Sequence, residues 1–305
     1  MLTKSILVTG SNGLLGQKLV DRLAGRDAVN LIATSRGHNR NPNQEGYVYE
    51  SLDVLDLDAI RAVFRQYEPT ECIHTAAMTH VDRCEEDPDA CRALNVTAVE
   101  NLIQVCREMG TKIIHVSTDF IFDGTSGPYS EKDMPKPLSR YGNTKLEGER
   151  LVIESGIPFA VARTMLVYGV VADMSRSNII LWARKALSEG QEIQVVHDQF
   201  RSPTLAEDLA DGIILIAMKE KTGIFHLSGP DTLSILDLVK EVADYWGFAP
   251  ELIQAIDSST LNQRAARPPR TGFIILKAQT ELGYKPHSIR EGLAIVDKQL
   301  SDYKV

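Results

Sequence analysis

Along the first half of the chain, hydrophobic positions cluster into short β-branched runs separated by longer stretches of helical periodicity. The runs Ser5–Thr9, Asn30–Thr34, Cys72–Thr75, Ile113–Ser117 and Phe159–Arg163 read as strands. Leu14–Leu23, Leu57–Tyr67, Asp89–Glu108 and Tyr141–Glu154 carry apolar residues at helical spacing and read as the helices between them. Strands joined by helices of this length imply right-handed crossovers and a parallel sheet covered on both faces. The expected fold class is α/β, a doubly wound parallel sheet.

Beyond about Thr164 the alternation breaks down. Helical patterns near Ser175–Glu189, Leu205–Met218, Ile235–Trp246 and Ile289–Ser301 are separated by Pro- and Gly-bearing loops. We expect a dinucleotide-binding unit over 1–165 and a smaller substrate-binding unit over 166–305. Segments within about 193–228 are expected to return to the first sheet.

Composition narrows the class. Of 305 residues, 43% are hydrophobic and 24% charged, as in an ordinary globular protein. A net charge of -8 argues against nucleic-acid binding, which needs a basic face. The longest apolar run, Gly212–Met218, is far below the roughly 20 residues of a membrane span. With a first strand starting near Lys4 there is no room for a leader, so a cytoplasmic protein is expected. Cys72, Cys84, Cys91 and Cys106 form no C-x-x-C pair, and buried free thiols are expected of them. No carboxylate cluster demands a metal.

The first strand runs directly into Gly10-Ser11-Asn12-Gly13-Leu14-Leu15-Gly16, a G-x-x-G-x-x-G loop. Glycines there permit a tight turn and close approach of backbone to a pyrophosphate, which the following helix N-terminus receives on unpaired N–H groups. Gly10, Asn12, Gly13, Leu14, Leu15 and Gly16 are therefore assigned to a nicotinamide dinucleotide, in a Rossmann arrangement. NAD enzymes place an acidic residue after the second strand; here the chain reads Thr34-Ser35-Arg36-Gly37. Arg36, assisted by Arg40, can pair with a 2′-phosphate, which favours NADP(H) over NAD(H). Asp53 follows the third strand, where it either receives the adenine amino group, beside Val54, or caps the helix before Leu57. Ala76 and Ala77 close the fourth strand with the small residues that a cofactor passing close to backbone requires.

Tyr141 and Lys145 stand four apart at the start of a helix, on one face, with Cβ atoms about 5–6 Å apart. A cation about 4 Å from the phenol, at an effective dielectric of about 20, is worth roughly 4 kcal/mol or about three pKa units. This would bring Tyr141 toward the working pH for general acid–base transfer. Thr118 ends the fifth strand at the carboxyl edge of the sheet, where ligands of such sheets bind. Hydride delivery to a ketone, with Tyr141 protonating the oxygen beside the Thr118 hydroxyl and Lys145 holding the nicotinamide ribose, is the expected chemistry.

The stretches Ala76–Asp82, Ser117-Thr118-Asp119-Phe120-Ile121-Phe122-Asp123-Gly124 and Tyr141–Glu149 resemble the extended short-chain dehydrogenase/reductase family, and within it the dTDP-4-dehydrorhamnose reductases. Arg163-Thr164, Val167-Tyr168-Gly169, Asp198-Gln199 with Ser202-Pro203-Thr204, and Arg267-Pro268 extend the likeness over essentially the whole chain. The resemblance implies reduction of a 4-keto-6-deoxy sugar on a thymidine diphosphate carrier. It implies Thr118, Tyr141 and Lys145 as the catalytic set, with Thr79 and Phe120 near the sugar. Phe120 stands where the family's dehydratases usually carry a glutamate, which disfavours dehydration. Two departures bear on the substrate. Leu166 occupies a position where such reductases commonly carry tryptophan, and Arg201 replaces a glycine, adding a cation that could meet a substrate phosphate. The resemblance also implies a homodimer through helices flanking the sheet. Two alternatives stand beside the reductase: an epimerase of the same family, and a non-catalytic cofactor-binding module like the regulatory subunit of methionine adenosyltransferase.

Overall fold

The computed structural model describes residues 3–172 and 177–302. Seven parallel strands form the central sheet. Six come from the first half: β1 (Lys4–Thr9), β2 (Val29–Ser35), β3 (Val48–Ser51), β4 (Glu71–His74), β5 (Lys112–Thr118) and β6 (Phe159–Thr164). After the short strands β7 (Val167–Tyr168), β8 (Ile193–Val196), β9 (Phe200–Arg201) and β10 (Thr204–Leu205), the seventh member, β11 (Gly223–His226), returns to the sheet beside β6. The order is β11-β6-β5-β4-β1-β2-β3, so the sequence of strands reverses between β1 and β4. That reversal opens a crevice at the carboxyl ends, the general ligand position of open α/β sheets. The α/β, doubly wound expectation is borne out.

The helices cover both faces: α1 (Leu14–Leu23), α2 (Leu57–Tyr67), α3 (Val81–Glu86), α4 (Pro88–Arg92), α5 (Ala98–Met109), α6 (Arg140–Glu154), α7 (Ile179–Ser188), α8 (Ala206–Met218), α9 (Ile235–Trp246) and α10 (Ile289–Asp302). One apolar cluster packs β1, β2 and β6 against α1 and α8 through Ile6, Leu19, Leu31, Ala162 and Ile213. Another packs the opposite face against α2, α5 and α6 through Leu7, Phe64, Leu102 and Val152. A third, around Tyr168, Leu181, Val239 and Leu293, joins α7, α9 and α10. The parallel pair β8–β13 (Ile253–Ile256) and the antiparallel pair β9–β12 (Leu233–Ser234) complete this second half.

Two expectations change. The helix read over Asp89–Glu108 is divided into α4, a π-helical turn at Ala93–Thr97 and α5. The residue inserted by the wider turn lets Asn95 face inward, where its side chain accepts from Met78 N at 2.9 Å and donates to Met78 O at 3.1 Å. Cys84 and Cys91, expected as free thiols, are joined in a disulfide with their Cα atoms 5.1 Å apart. The turn between α3 and α4 doubles the chain back and brings them together, which spacing along the sequence did not indicate. Cys72 and Cys106 are free and buried. The helix expected from Ser175 is α7; Ser175 itself lies outside the described residues. No helix among the described residues is long and apolar enough to cross a membrane.

Candidate active site

The glycine loop stands at the mouth of the crevice. Gly10 has φ of 71°, and a Cβ there would lie 2.7 Å from Thr75 Oγ1 and 2.8 Å from Ala76 N. The loop and the end of β4 thus touch backbone to backbone, which explains both the glycine and the small Ala76-Ala77. A Cβ on Gly16 would collide with Gly10 O and Ser11. The N-terminus of α1 has Gly13 as its cap, no capping side chain and no acidic residue in its first turn. Ser11 Oγ is buried there without a hydrogen-bond partner. Open N–H groups, a dipole of positive sign and an orphaned hydroxyl suit an anionic ligand. The residues present therefore fit a dinucleotide pyrophosphate.

Asn12 organises the neighbouring loop. Its side chain donates to His38 O at 2.9 Å and accepts from Arg40 N at 2.8 Å. Tyr49 donates to Gly37 O at 2.8 Å. The segment carrying the exposed Arg36 is thereby tied to the glycine loop. Asp53 is not the helix cap: it accepts from Leu55 N, whereas Asp56 caps α2 by accepting from Asp58 N and Ala59 N. Val54 is buried beside it.

At the end of β5, the Thr118 hydroxyl donates to Asp119 Oδ1 at 3.1 Å and accepts from Phe120 N at 3.2 Å. Asp119 is buried, and Thr271 donates to its second oxygen at 2.6 Å. Arg201 Nε lies 3.4 Å from the same carboxylate. Arg201 is only 4% exposed, its guanidinium also donating to Pro268 O and Phe200 O. The expectation of a cation directed at substrate phosphate is therefore redirected inward, because a buried carboxylate at 119 needs a counter-charge. The Arg201 guanidinium also lies 5.7 Å from the Phe120 ring centroid. Asp119 and Thr271 are residues that motif reading did not assign; the C-terminal loop is latched to the site through them.

Ser139 caps α6, accepting from Gly142 N, and the first turn presents Tyr141, 8% exposed. Its ring meets Phe120 edge to face at 5.5 Å. Burial pushes the phenol up to about 12, the Thr118 hydroxyl pulling it the other way. The expected lowering of Tyr141 by Lys145 is not what the structure shows. Desolvation dominates, and Lys145 turns toward β5, donating to Val116 O at 2.7 Å and lying 3.4 Å from His115 Nε2. Lys145 is itself lowered to about 8 by burial, while Glu149 opposes that shift. Glu149 is held by Arg163 in a buried ion pair that anchors the middle of α6 to β6. Beneath Lys145, the His115 and His74 rings stack at 5.5 Å, and His74 Nδ1 lies 2.8 Å from Thr9 Oγ1.

Around the crevice, Thr79 is exposed and Phe120 half-buried. Leu166 is half-buried at φ of 40°, a left-handed conformation uncommon for leucine. The structure thus gathers Thr118, Tyr141, Lys145, Phe120 and the glycine loop at one sheet edge.

Residues 4–301 match the family described as the RmlD substrate binding domain. The chain belongs to that family. A "Probable low-salt glycan biosynthesis reductase" of Haloferax volcanii is 30% identical over 298 residues, covering 97% of this chain and 98% of that one. Methionine adenosyltransferase 2 subunit beta of Rattus norvegicus is 30% identical over 283 residues, covering 91% of this chain and 82% of its own. Among solved structures, dTDP-4-dehydrorhamnose reductase from Bacillus anthracis in complex with NADP superposes with a TM-score of 0.83 at 25% identity, covering 98% of this chain and 100% of that one. The extended short-chain dehydrogenase/reductase likeness read from the motifs is thereby borne out. The relatives thus include both a probable reductase and a subunit of methionine adenosyltransferase.

Proposed function

We propose that the chain is an NAD(P)H-dependent reductase of the 4-keto group of a nucleotide-linked 6-deoxysugar, with dTDP-4-dehydrorhamnose as its substrate and NADP(H) as its cofactor. The observation that carries this reading is the buried Tyr141 phenol beside Thr118, at the sheet edge that holds the glycine loop. The glycine loop and the N-terminus of α1 would hold a nicotinamide dinucleotide there, which when bound would supply the hydride for the carbonyl carbon. Tyr141, pushed up to about 12, keeps its proton at neutral pH and is the donor to the sugar oxygen. Thr118 lies against the phenol and supplies a second hydroxyl to the same oxygen. Lys145, lowered to about 8, is still largely charged at pH 7 and favours the anionic oxygen that hydride addition creates. Arg36, on the loop tied down by Asn12 and Tyr49, pairs with a 2′-phosphate. Asp53 and Val54 flank the adenine, and Thr79, Phe120 and Leu166 shape the sugar side.

The similarity to methionine adenosyltransferase 2 subunit beta favours a second reading, a cofactor-binding regulatory subunit. The deciding assay follows NADPH consumption with enzymatically prepared dTDP-4-keto-6-deoxy-L-mannose, NADH serving as control. Turnover supports the reductase; cofactor binding by fluorescence without turnover supports the regulatory module.

A further inference from the structure

His115 is a histidine in the middle of an apolar strand, between Ile114 and Val116, and it is 1% exposed. Its Nδ1 is buried with no hydrogen-bond partner. Its Nε2 lies 3.4 Å from the Lys145 ammonium, the one hydrogen-bond contact of this ring among the described residues. A buried imidazole with a single polar neighbour is positioned for that neighbour, since an orphaned ring nitrogen is otherwise unfavourable. The ammonium has three N–H bonds and no acceptor capacity. Nε2 must therefore present its lone pair, which puts the ring proton on Nδ1. The reverse tautomer would set an N–H against an ammonium.

We propose that His115 is a positioning residue for Lys145: with the Val116 carbonyl it holds two of the three ammonium N–H bonds against β5 and leaves one for the site. This rests on the reading of Lys145 as part of the working site. His74, stacked behind His115 and joined to Thr9, backs the ring from β4. The charged and titratable groups around this pair are His115 and His74 from the sheet, Tyr141 and Glu149 from α6, Arg163 from β6 in its pair with Glu149, and Asp119 at the end of β5. Both imidazoles are held well below their ordinary range by burial first and then by the Lys145 charge, so both stay neutral through the physiological range. A neutral acceptor steadies the ammonium without competing for its charge.

Removing the acceptor lowers the lysine further, because a buried ammonium loses one of its stabilising hydrogen bonds. The test reads Lys145 directly, by 15N NMR of its Nζ in the cofactor-free protein, assigned with Lys145→Met. In wild type the signal should titrate near pH 8. In His115→Leu the midpoint should fall by about one pH unit, whereas His115→Gln, which keeps an acceptor oxygen, should restore it. If turnover is measurable, its alkaline limb should shift by the same amount in the same variants. Should the variants not fold, the wild-type ring still decides: His115 is expected as the Nδ1–H tautomer, its Nε2 resonance following the lysine titration. An Nε2–H tautomer below pH 8, or a Lys145 midpoint unmoved in His115→Leu, would overturn the proposal. Absence of turnover with an intact NMR titration would instead count against the reductase reading alone.

Discussion

Single residues carry the proposed chemistry, and burial decides how each behaves. Tyr141 keeps its proton because desolvation outweighs the Thr118 hydrogen bond, with the Asp119 charge acting in the same direction as burial. Tyr141→Phe should abolish NADPH-dependent turnover while changing the NADPH dissociation constant by no more than about fivefold, since one buried hydroxyl contributes only about 1 kcal/mol to packing and hydrogen bonding. Retained activity in that variant would remove the acid–base role. Arg36 presents the opposite case, an exposed side chain whose value lies in its ligand. Arg36→Ala should weaken NADPH by roughly tenfold or more and leave NADH almost unchanged, given about 1.5–3 kcal/mol for a charge-assisted hydrogen bond. Equal losses for both cofactors, measured by fluorescence titration, would count against the 2′-phosphate reading. Tyr141, Lys145 and the three glycines were legible in the sequence because local spacing alone puts them on one helix face or in one loop. Arg201 was not, because its direction is set by the buried Asp119 carboxylate, which is distant along the chain.

At the scale of elements, the site depends on contacts between segments that the periodic pattern treats separately. The π-helical turn at Ala93–Thr97 aims Asn95 at Met78, on the loop after β4, and at Thr144 of α6, 3.2 Å from its hydroxyl. Gly148 permits the crossing, since a Cβ there would stand 2.5 Å from Asn95 O. One amide thus joins the loop that carries Ala76-Ala77 to the helix that carries Lys145. Asn95→Leu leaves the Met78 N–H and carbonyl without partners and should destabilise the protein by about 2–3 kcal/mol, read as a lower urea midpoint. Cofactor affinity should fall as well, because the detached loop lies against Gly10. A variant with wild-type stability and affinity would show that the loop holds itself. The helix pattern over Asp89–Glu108 was visible, but the contacts that the π-helical turn gives Asn95 were not, because their partners, Met78 and Thr144, lie elsewhere along the chain.

For the whole molecule, three buried histidines govern the acid side of stability. His74 and His226 are lowered to about 3 and His115 well below its ordinary range, burial being the first cause in each. Their folded-state affinities for protons are below the unfolded value of about 6.5, so the unfolded chain takes up protons first as pH falls. Stability is fully present above about 6.5 and declines below it, by up to roughly 1.4 kcal/mol per pH unit for each site. Glu71, Asp119 and Asp208, raised by burial, act in the opposite sense at lower pH as they take up protons in the folded state. The urea midpoint should fall between pH 7 and pH 5. A midpoint flat over that interval would show that these rings gain protons without unfolding.

The sequence by itself determined the strand–helix alternation, the glycine loop, the helix bearing Tyr141 and Lys145, and the family they resemble. Each is written in local spacing, which the backbone reads within one turn or one pleat. Tertiary structure alone decided that the phenol is raised rather than lowered and that Lys145 leans on His115. It also decided that Arg201 faces Asp119, and that Cys84 meets Cys91. These outcomes turn on how much water is excluded and on which distant groups share the space it leaves, and both quantities exist only once the chain has packed.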